Sequence, residues 1–419
     1  MRNHPIALAL AITALFSACS NEFSVNVPQW QNGGFLSQTR PLSSALKAKF
    51  EGIYTVEQGN GQFGNTVVLK WNGDYLGIYA GVQTGYFIMQ AGGIDSIIYL
   101  QGYWRFANGD QTGLAQLIMT REEGGRYIFG DTTGGIPAIK FRGTWGNNQD
   151  NPGQPLVLSF VRPIKPEILK KKFYIVSHHG SGGTPTELPA SENSVEIAKI
   201  IERWGANAIE IDIRPTKDGI PILYHDNSLN LRLTQRGPLV GPAENYTFAQ
   251  LETSVRLLHG EKIPSLEQFL DAVVTQTTLK FVYVDCKPTI GPYMATAAAI
   301  QQAALAKARS LGRDVQIYLA ITTDDILSSF MTLPGYQNIP TICELGTDKL
   351  EQANSHVWSP RWTNGTPSAE IAALHAEGRE VITWTVNLPS FIQQYTQEGV
   401  FDGMLSDYPG LVAYYYYTQ

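Results

Sequence analysis

Glu210 and Asp212 stand two residues apart in the apolar run Ala208 to Ile213, and Asp285 and Lys287 repeat that spacing at the end of the run Phe281 to Asp285. In an extended strand, residues i and i+2 point to the same side, so each pair presents both charges to one face. Three carboxylates converging from two strands make a hard oxygen site, suited to one divalent cation, Ca²⁺ or Mg²⁺, rather than to a soft metal. His178 follows the run Phe173 to Ser177 and His225 follows Ile222 to Tyr224, and neither lies in a helical repeat or a charged run. Cleavage of a phosphodiester needs a cation against the non-bridging oxygens, a base for the nucleophile and an acid for the leaving alkoxide. Histidine serves both proton roles near neutral pH. Any one of these residues alone reads as solvated surface or a satisfied core group. The matched set at four strand ends points to phosphodiester chemistry.

Such a set needs a scaffold that gathers strand ends, and the sequence after Lys165 supplies one. Apolar runs of strand length alternate with helical patterns such as Ser194 to Trp204, Leu266 to Thr275 and Tyr293 to Ser310. Nine strand candidates are legible: Phe173 to Ser177, Ala208 to Ile213, Ile222 to Tyr224, Phe281 to Asp285, Gln316 to Ile321, Thr341 to Leu345, His356 to Trp358, Val381 to Val386 and Gly403 to Ser406. Alternation over this length predicts an α/β fold, a (β/α)₈ TIM barrel whose active site lies at the C-terminal ends of its strands. One candidate is in excess, and periodicity does not say which.

The stretch 46–165 has a different grammar. Short apolar runs from Val67 to Trp71 and from Tyr75 to Tyr79 flank Asn72-Gly73, a strong hairpin signal. Further runs (Tyr86 to Gln90, Ile97 to Tyr103, Leu114 to Thr120, Tyr127 to Gly130, Ile139 to Trp145, Leu156 to Val161) are mostly separated by glycine-containing connections. Eight or nine strands at this spacing predict a smaller all-β barrel or sandwich. Its aromatics, Tyr54, Trp71, Tyr79, Trp104 and Trp145, read as core rather than as a lipid or sugar pocket, because aromatics are enriched in strands and fill small barrels. No chemical constellation is visible there, and its ligand is unassigned.

The 419 residues exceed what one core usually organises, in keeping with two domains. A formal charge of −6 with no basic cluster argues against nucleic acid as a partner. Arg2, the apolar run Ile6 to Phe16 and the small residues Ser17 and Ala18 before Cys19 predict a signal peptide over 1–18 that ends in a lipobox-like sequence. Acylation of Cys19 would place the protein in a bacterial cell envelope, exported and lipid-anchored, with the polar segment 19–45 as a tether. Cys286 and Cys343 read as free thiols packed in the core.

From Tyr174 to Pro409 the sequence resembles the glycerophosphodiester phosphodiesterase family. His178-His179-Gly180 is similar to that family's His-Arg-Gly, and Ser191-Glu192-Asn193-Ser194 to its Pro-Glu-Asn-Thr. Gly205-Ala206 through Glu210-Ile211-Asp212-Ile213, then Thr216-Lys217-Asp218-Gly219 running on to His225-Asp226, follow in the family's order. Ile263-Pro264-Ser265-Leu266-Glu267, Asp285-Cys286-Lys287, Trp384-Thr385-Val386-Asn387 and Asp402-Gly403 through Ser406-Asp407-Tyr408-Pro409 complete it. No single tetrapeptide is decisive; the joint order and spacing are specific.

The resemblance implies metal-dependent hydrolysis of a small glycerophosphodiester to an alcohol and glycerol 3-phosphate. Glu210, Asp212 and Asp285 would be the metal ligands, His178 and His225 the acid/base pair, and Lys287 the stabiliser of charge on phosphorus. Trp384 would wall the glycerol carbons, Glu192 and Asn193 would brace the first loop, and 227–262 would be an insertion over the mouth. Arg232 and Arg236 in that insertion read as solvated surface rather than as phosphate ligands. Two departures from the pattern bear on the site. Asp285 is one methylene shorter than the family's Glu. His179 replaces an Arg that grips phosphate with a planar fork; if His179 takes over that contact, substrate affinity should weaken as pH rises and the imidazole loses its proton. Two alternatives compete: a related barrel that releases a cyclic phosphate, and a non-catalytic lipoprotein that binds head groups. With all the chemistry after Lys165, residues 166–419 are expected to act alone.

Overall fold

The computed structural model describes residues 27–133, 138–149, 151–180, 188–287 and 293–419; the signal segment and Cys19 lie outside them. Eight strands of the first half close into an antiparallel barrel: β1 (Gly52–Gln58), β2 (Thr66–Asn72), β3 (Tyr75–Ala80), β4 (Gly85–Ile94), β5 (Ile97–Phe106), β6 (Thr112–Met119), β7 (Lys140–Trp145) and β8 (Gln154–Arg162). Asn72 pairs with Tyr75, so the β2–β3 loop is Gly73-Asp74, with Gly73 at φ +62°, a conformation that glycine adopts without a Cβ clash. Full closure leaves no free sheet edge.

Side chains fill this barrel. Phe63 meets Phe87, Trp104 and Trp145 at centroid distances of 4.6, 5.2 and 5.2 Å, and Phe50, Tyr54 and Phe141 pack beside them. Tyr54, Trp71, Trp104 and Trp145 therefore belong to the barrel's own core, whereas Tyr79 faces outward, toward the second barrel. Two details differ from the sequence reading. The stretch 127–130 is not a strand: Arg126–Ile128 is a helical turn, entered through Gly124 at φ +116° and Gly125, whose hydrogen faces Ser96 O so closely that a Cβ would lie 1.9 Å from it. The eighth strand is β1 instead. The tether also differs, because its second half is docked on β4 and β5. Trp30 Nε1 donates to Gly102 O (2.8 Å), and Arg40 and Gly93 exchange backbone hydrogen bonds.

The second half begins with β9 (Tyr174–Ser177), β10 (Ala208–Pro215) and β11 (Pro221–Leu223), and continues through β12 (Phe281–Cys286), β13 (Gln316–Ile321), β14 (Thr341–Cys343), β15 (Val357–Trp358), β16 (Glu380–Thr383) and β17 (Gly403–Ser406). Eight of these are parallel neighbours in a ring that closes β17 onto β9 and β9 onto β10. The ninth candidate resolves as β11, which pairs antiparallel with β10, Leu223 against Ile213, and with no other strand of the ring. It is a hairpin that folds back along β10, so the residues after it return to the mouth of the barrel. Tyr174, Phe281, Tyr283, Tyr318 and Leu405 plug the ring. Outer helices are started by local signals, as where Ser265 and Gln268 form a reciprocal capping box on the helix Leu266–Gln276.

The two barrels share one apolar cluster. Ile53, Val68, Tyr79, Tyr86 and Ile88 of the first belong to the same buried set as Trp204, Leu411, Val412 and Tyr416 of the second. Tyr79 Oη donates to Arg203 O (3.2 Å), and Arg162 donates to the carbonyls of Thr418 and Gln419 (2.7 and 2.9 Å). Burying one large apolar side chain stabilises by about 1.5–3 kcal/mol, so uncovering four or five is comparable with a whole domain's stability of about 5–15 kcal/mol. The expectation that residues 166–419 act alone gives way to its opposite. That fragment is predicted to aggregate or to melt well below the full chain in circular dichroism; an equally high melting temperature would contradict this.

Candidate active site

The carboxylates gather at the C-terminal ends of β10 and β12. Asp212 pairs in register with Asp285, and Glu210, Asp212 and Asp285 each offer an oxygen within 4.8 Å of the others. Lys287 Nζ lies 2.6 Å from Asp285 Oδ2 and 2.7 Å from Asp212 Oδ1, although the latter oxygen has no hydrogen bond of good geometry. Burial, then repulsion from Asp212 and Asp285, pushes the Glu210 carboxyl well above its ordinary range. Burial also raises Asp285, against the pull of Lys287. Asp212 goes the other way: despite burial, its contact with His179 and the charge of Lys287 hold it well below the usual range.

Each expected proton-transfer histidine has its own carboxylate. His178 Nδ1 lies 2.6 Å from Asp407 Oδ1, and His225 Nδ1 lies 2.7 Å from Asp226 Oδ1. Both acids resist the effect of burial and stay below the usual carboxylate range through their hydrogen bonds, to His178 and Asn387 for Asp407, and to Arg232, His225 and Asn230 for Asp226. An ionised carboxylate only accepts, so the shorter contact to Asp226, against 3.3 Å from Arg232 Nη2 to the same His225 nitrogen, assigns the proton to Nδ1 there as in His178 and leaves Nε2 for chemistry. Both histidines line one cleft of about 380 Å³ with Glu210, Asp285, Lys287 and Trp384, within the usual size range of small-molecule sites. Trp384 is pinned by its indole N–H on Ser359 O (2.9 Å). His225 is on the β10–β11 hairpin and does not end a barrel strand; Tyr224 N donates to Asp212 O (3.1 Å), which sets it over the mouth.

His179 requires a correction. Its backbone, at φ +51°, turns the N–H onto Glu210 Oε2 (2.7 Å) and Nδ1 onto Asp212 Oδ2 (2.7 Å). Burial, with help from His178 and His225 and against the pull of Asp212, takes its pKa down to about 4. A neutral imidazole committed to a carboxylate does not replace a phosphate-gripping guanidinium, and the expected rise in affinity at lower pH loses its basis.

Several residues enter the site that the sequence reading left out of it or placed otherwise. Asn193 exchanges two hydrogen bonds with Asp212, Nδ2 to Oδ2 (2.8 Å) and Asp212 N to Oδ1 (2.9 Å). Asn387 does the same for Asp407 (2.7 and 2.9 Å). Arg232 is not merely solvated: it forks onto Asp226 (2.6 and 3.0 Å) and reaches Glu192 (3.2 Å), tying the insertion to the partner of His225. Arg236 is exposed. Glu344, after β14, lines the same cleft and accepts the Tyr283 hydroxyl. Asp407 and Asn387 lay within quoted motifs, so order along the chain carried that signal; Glu344 had none.

The donor set fits a divalent cation. Asp285 Oδ1 is buried without a hydrogen-bond partner, and Lys287 pairs with Asp212 and Asp285 but not with Glu210, an arrangement that an added cation relieves. His179 also belongs to groups of possible ligands, with His178 and Glu210 and with Asp212 and His225.

The model of the Glycerophosphoryl diester phosphodiesterase family matches residues 178–411. A curated relative, a glycerophosphodiester phosphodiesterase from Bacillus altitudinis, is 24% identical over 219 residues, 49% of this chain and 84% of its own length. Among solved structures, a glycerophosphodiester phosphodiesterase from Parabacteroides distasonis is similar at 18% identity and a TM-score of 0.44, covering 57% of this chain and 94% of that one. A phosphodiesterase from Oleispira antarctica, in complex with the product sn-glycerol-3-phosphate, is similar at 20% identity and a TM-score of 0.42, with the same coverage.

Proposed function

The chain belongs to the glycerophosphoryl diester phosphodiesterase family, and from that premise we propose that it hydrolyses small glycerophosphodiesters to an alcohol and glycerol 3-phosphate. The observation that carries this reading is the pair of histidines, each with Nδ1 on its own carboxylate, facing one cleft with Glu210 and Asp285, which group with the buried Asp212. Binding alone needs no such pair, which disfavours a non-catalytic head-group receptor.

Glu210, Asp212 and Asp285 would hold one divalent cation, Ca²⁺ or Mg²⁺, which when bound neutralises the phosphate oxygens and polarises phosphorus. Nε2 of one histidine takes the proton of the glycerol 2-hydroxyl as its oxygen bonds to phosphorus, and Nε2 of the other protonates the departing alkoxide. Water then opens the cyclic phosphate with the two proton roles exchanged. Lys287, held charged by Asp285 and Asp212 despite its burial, lies where negative charge grows on phosphorus. Trp384 walls the glycerol carbons. His179 and Asn193 orient Asp212 rather than touch substrate.

Turnover of glycerophosphocholine, glycerophosphoethanolamine and glycerophosphoinositol, followed by phosphorus NMR, tests the reading. Glycerol 3-phosphate should accumulate; a cyclic phosphate as the final product would transfer the chain to the lyase alternative. We also propose export and anchoring through acylated Cys19, supported by the signal-like segment before it. Cys19→Ser should release the protein from the membrane fraction, and continued association would refute the anchor.

A further inference from the structure

On the wall of the cleft formed by the ends of β13 to β16, most polar side chains are already committed. Thr322 donates its hydroxyl to Cys286 O (3.2 Å), Thr323 caps the helix Asp324–Met331, and Trp384 donates to Ser359 O. Glu344 differs. One carboxyl oxygen accepts the hydroxyl of Tyr283, a side chain buried in the plug of the barrel, and no basic residue pairs with it among the described residues. A carboxyl group can accept several hydrogen bonds, so acceptor capacity remains toward the cleft. Burial, then repulsion from Asp285, raises its pKa to about 8, against the Tyr283 hydrogen bond and the more distant charge of Lys287. Burying such a group without full pairing costs stability, and a ligand donor would recover that cost.

Position says which part of a substrate meets it. Ile342, two residues before Glu344, is part of the inward-facing plug, as Tyr283, two before Asp285, is. Glu344 therefore stands on the floor of the mouth with the metal-candidate carboxylates, on the side away from the His225 hairpin. A phosphate held at Lys287 and the carboxylate trio would direct one substituent along this floor, between Glu344 and the apolar face of Trp384. Glycerol suits that slot, with carbons for the indole and a hydroxyl for the carboxyl. We propose that Glu344, oriented by Tyr283, is a specificity-determining residue that accepts a hydrogen bond from the outer glycerol hydroxyl, the one that does not attack phosphorus. This inference rests on the glycerophosphodiester reading.

A site built to bond a hydroxyl discriminates strongly against the analogue that lacks it, because its own polar group is then left unpaired. The test compares glycerophosphoethanolamine with its propane-1,2-diol analogue, which keeps the attacking 2-hydroxyl and carries hydrogen in place of the outer one. The full-length protein should prefer the glycerol diester by about 10- to 10²-fold in kcat/KM; Glu344→Ala should bring that preference toward unity, and Glu344→Gln, which keeps one acceptor oxygen, should retain part of it. Tyr283→Phe should shrink it in part. Calorimetry of glycerol 3-phosphate against propane-1,2-diol 1-phosphate, with Ca²⁺ present, gives the same comparison without turnover. Folded Glu344 variants that keep the full preference, or a wild type that shows none, overturn the proposal and leave the hydrolase reading intact. A wild type that cleaves neither diester overturns the hydrolase reading, and the proposal with it.

Discussion

His225→Ala is expected to lower kcat about 10²- to 10⁴-fold, the usual contribution of a positioned acid or base, while leaving divalent-cation affinity nearly unchanged. The separation follows from geometry. His225 bonds Asp226 and faces the cleft from the β10–β11 hairpin, whereas Glu210, Asp212 and Asp285 form a close group without it. His225 also lies in a second group of possible ligands with His179 and Asp212, and this variant separates the two arrangements. Turnover on a glycerophosphodiester and calorimetric titration of Ca²⁺ and Mg²⁺ are the two readouts. Loss of both together would move the cation onto the histidines and take the proton role from His225.

Glu210→Ala should show the converse pattern, with cation affinity and turnover falling together. Glu210 also receives the backbone N–H of His179 (2.7 Å), so Ala loosens the first loop as well. Glu210→Gln keeps an acceptor there and removes only the charge, which makes it the sharper variant. In the metal-free protein, burial and the neighbouring acids raise the Glu210 carboxyl. A carboxyl raised in the folded state loses stability as pH climbs above the unfolded glutamate range. The Gln variant should therefore melt no lower than wild type without metal at neutral pH. It should also lose most of the stabilisation that metal gives wild type, about 2.7 kcal/mol at a hundred times Kd. A Gln variant stabilised by Ca²⁺ or Mg²⁺ as strongly as wild type would remove Glu210 from the ligand set.

The barrels were legible because their signals are periodic. Strand alternation with helices marked the second, and evenly spaced short strands with a glycine hairpin marked the first. The excess strand was not, because Pro221–Leu223 has the composition of a barrel strand, and only its partner reveals it as a returning hairpin. The carboxylate pairs were readable from a spacing of two, and the fold brings them together from neighbouring strands. What escaped was set by tertiary partners. The identity of His179 suggested a phosphate contact, but its left-handed backbone turns it onto Glu210 and Asp212. Arg232 looked like surface charge until Asp226 and Glu192 were seen on either side of it. The joint between the barrels was invisible for a similar reason: nothing in the apolar residues of β2 to β4 says whether they face their own lumen or a second domain.

The most direct test of the central claim uses full-length protein stripped with EDTA and assayed for glycerol 3-phosphate release from glycerophosphodiesters. Turnover should vanish in metal-free buffer and return as Ca²⁺ or Mg²⁺ is added, because three carboxylates with one lysine hold a phosphate poorly by themselves. Full turnover in metal-free buffer would contradict the account.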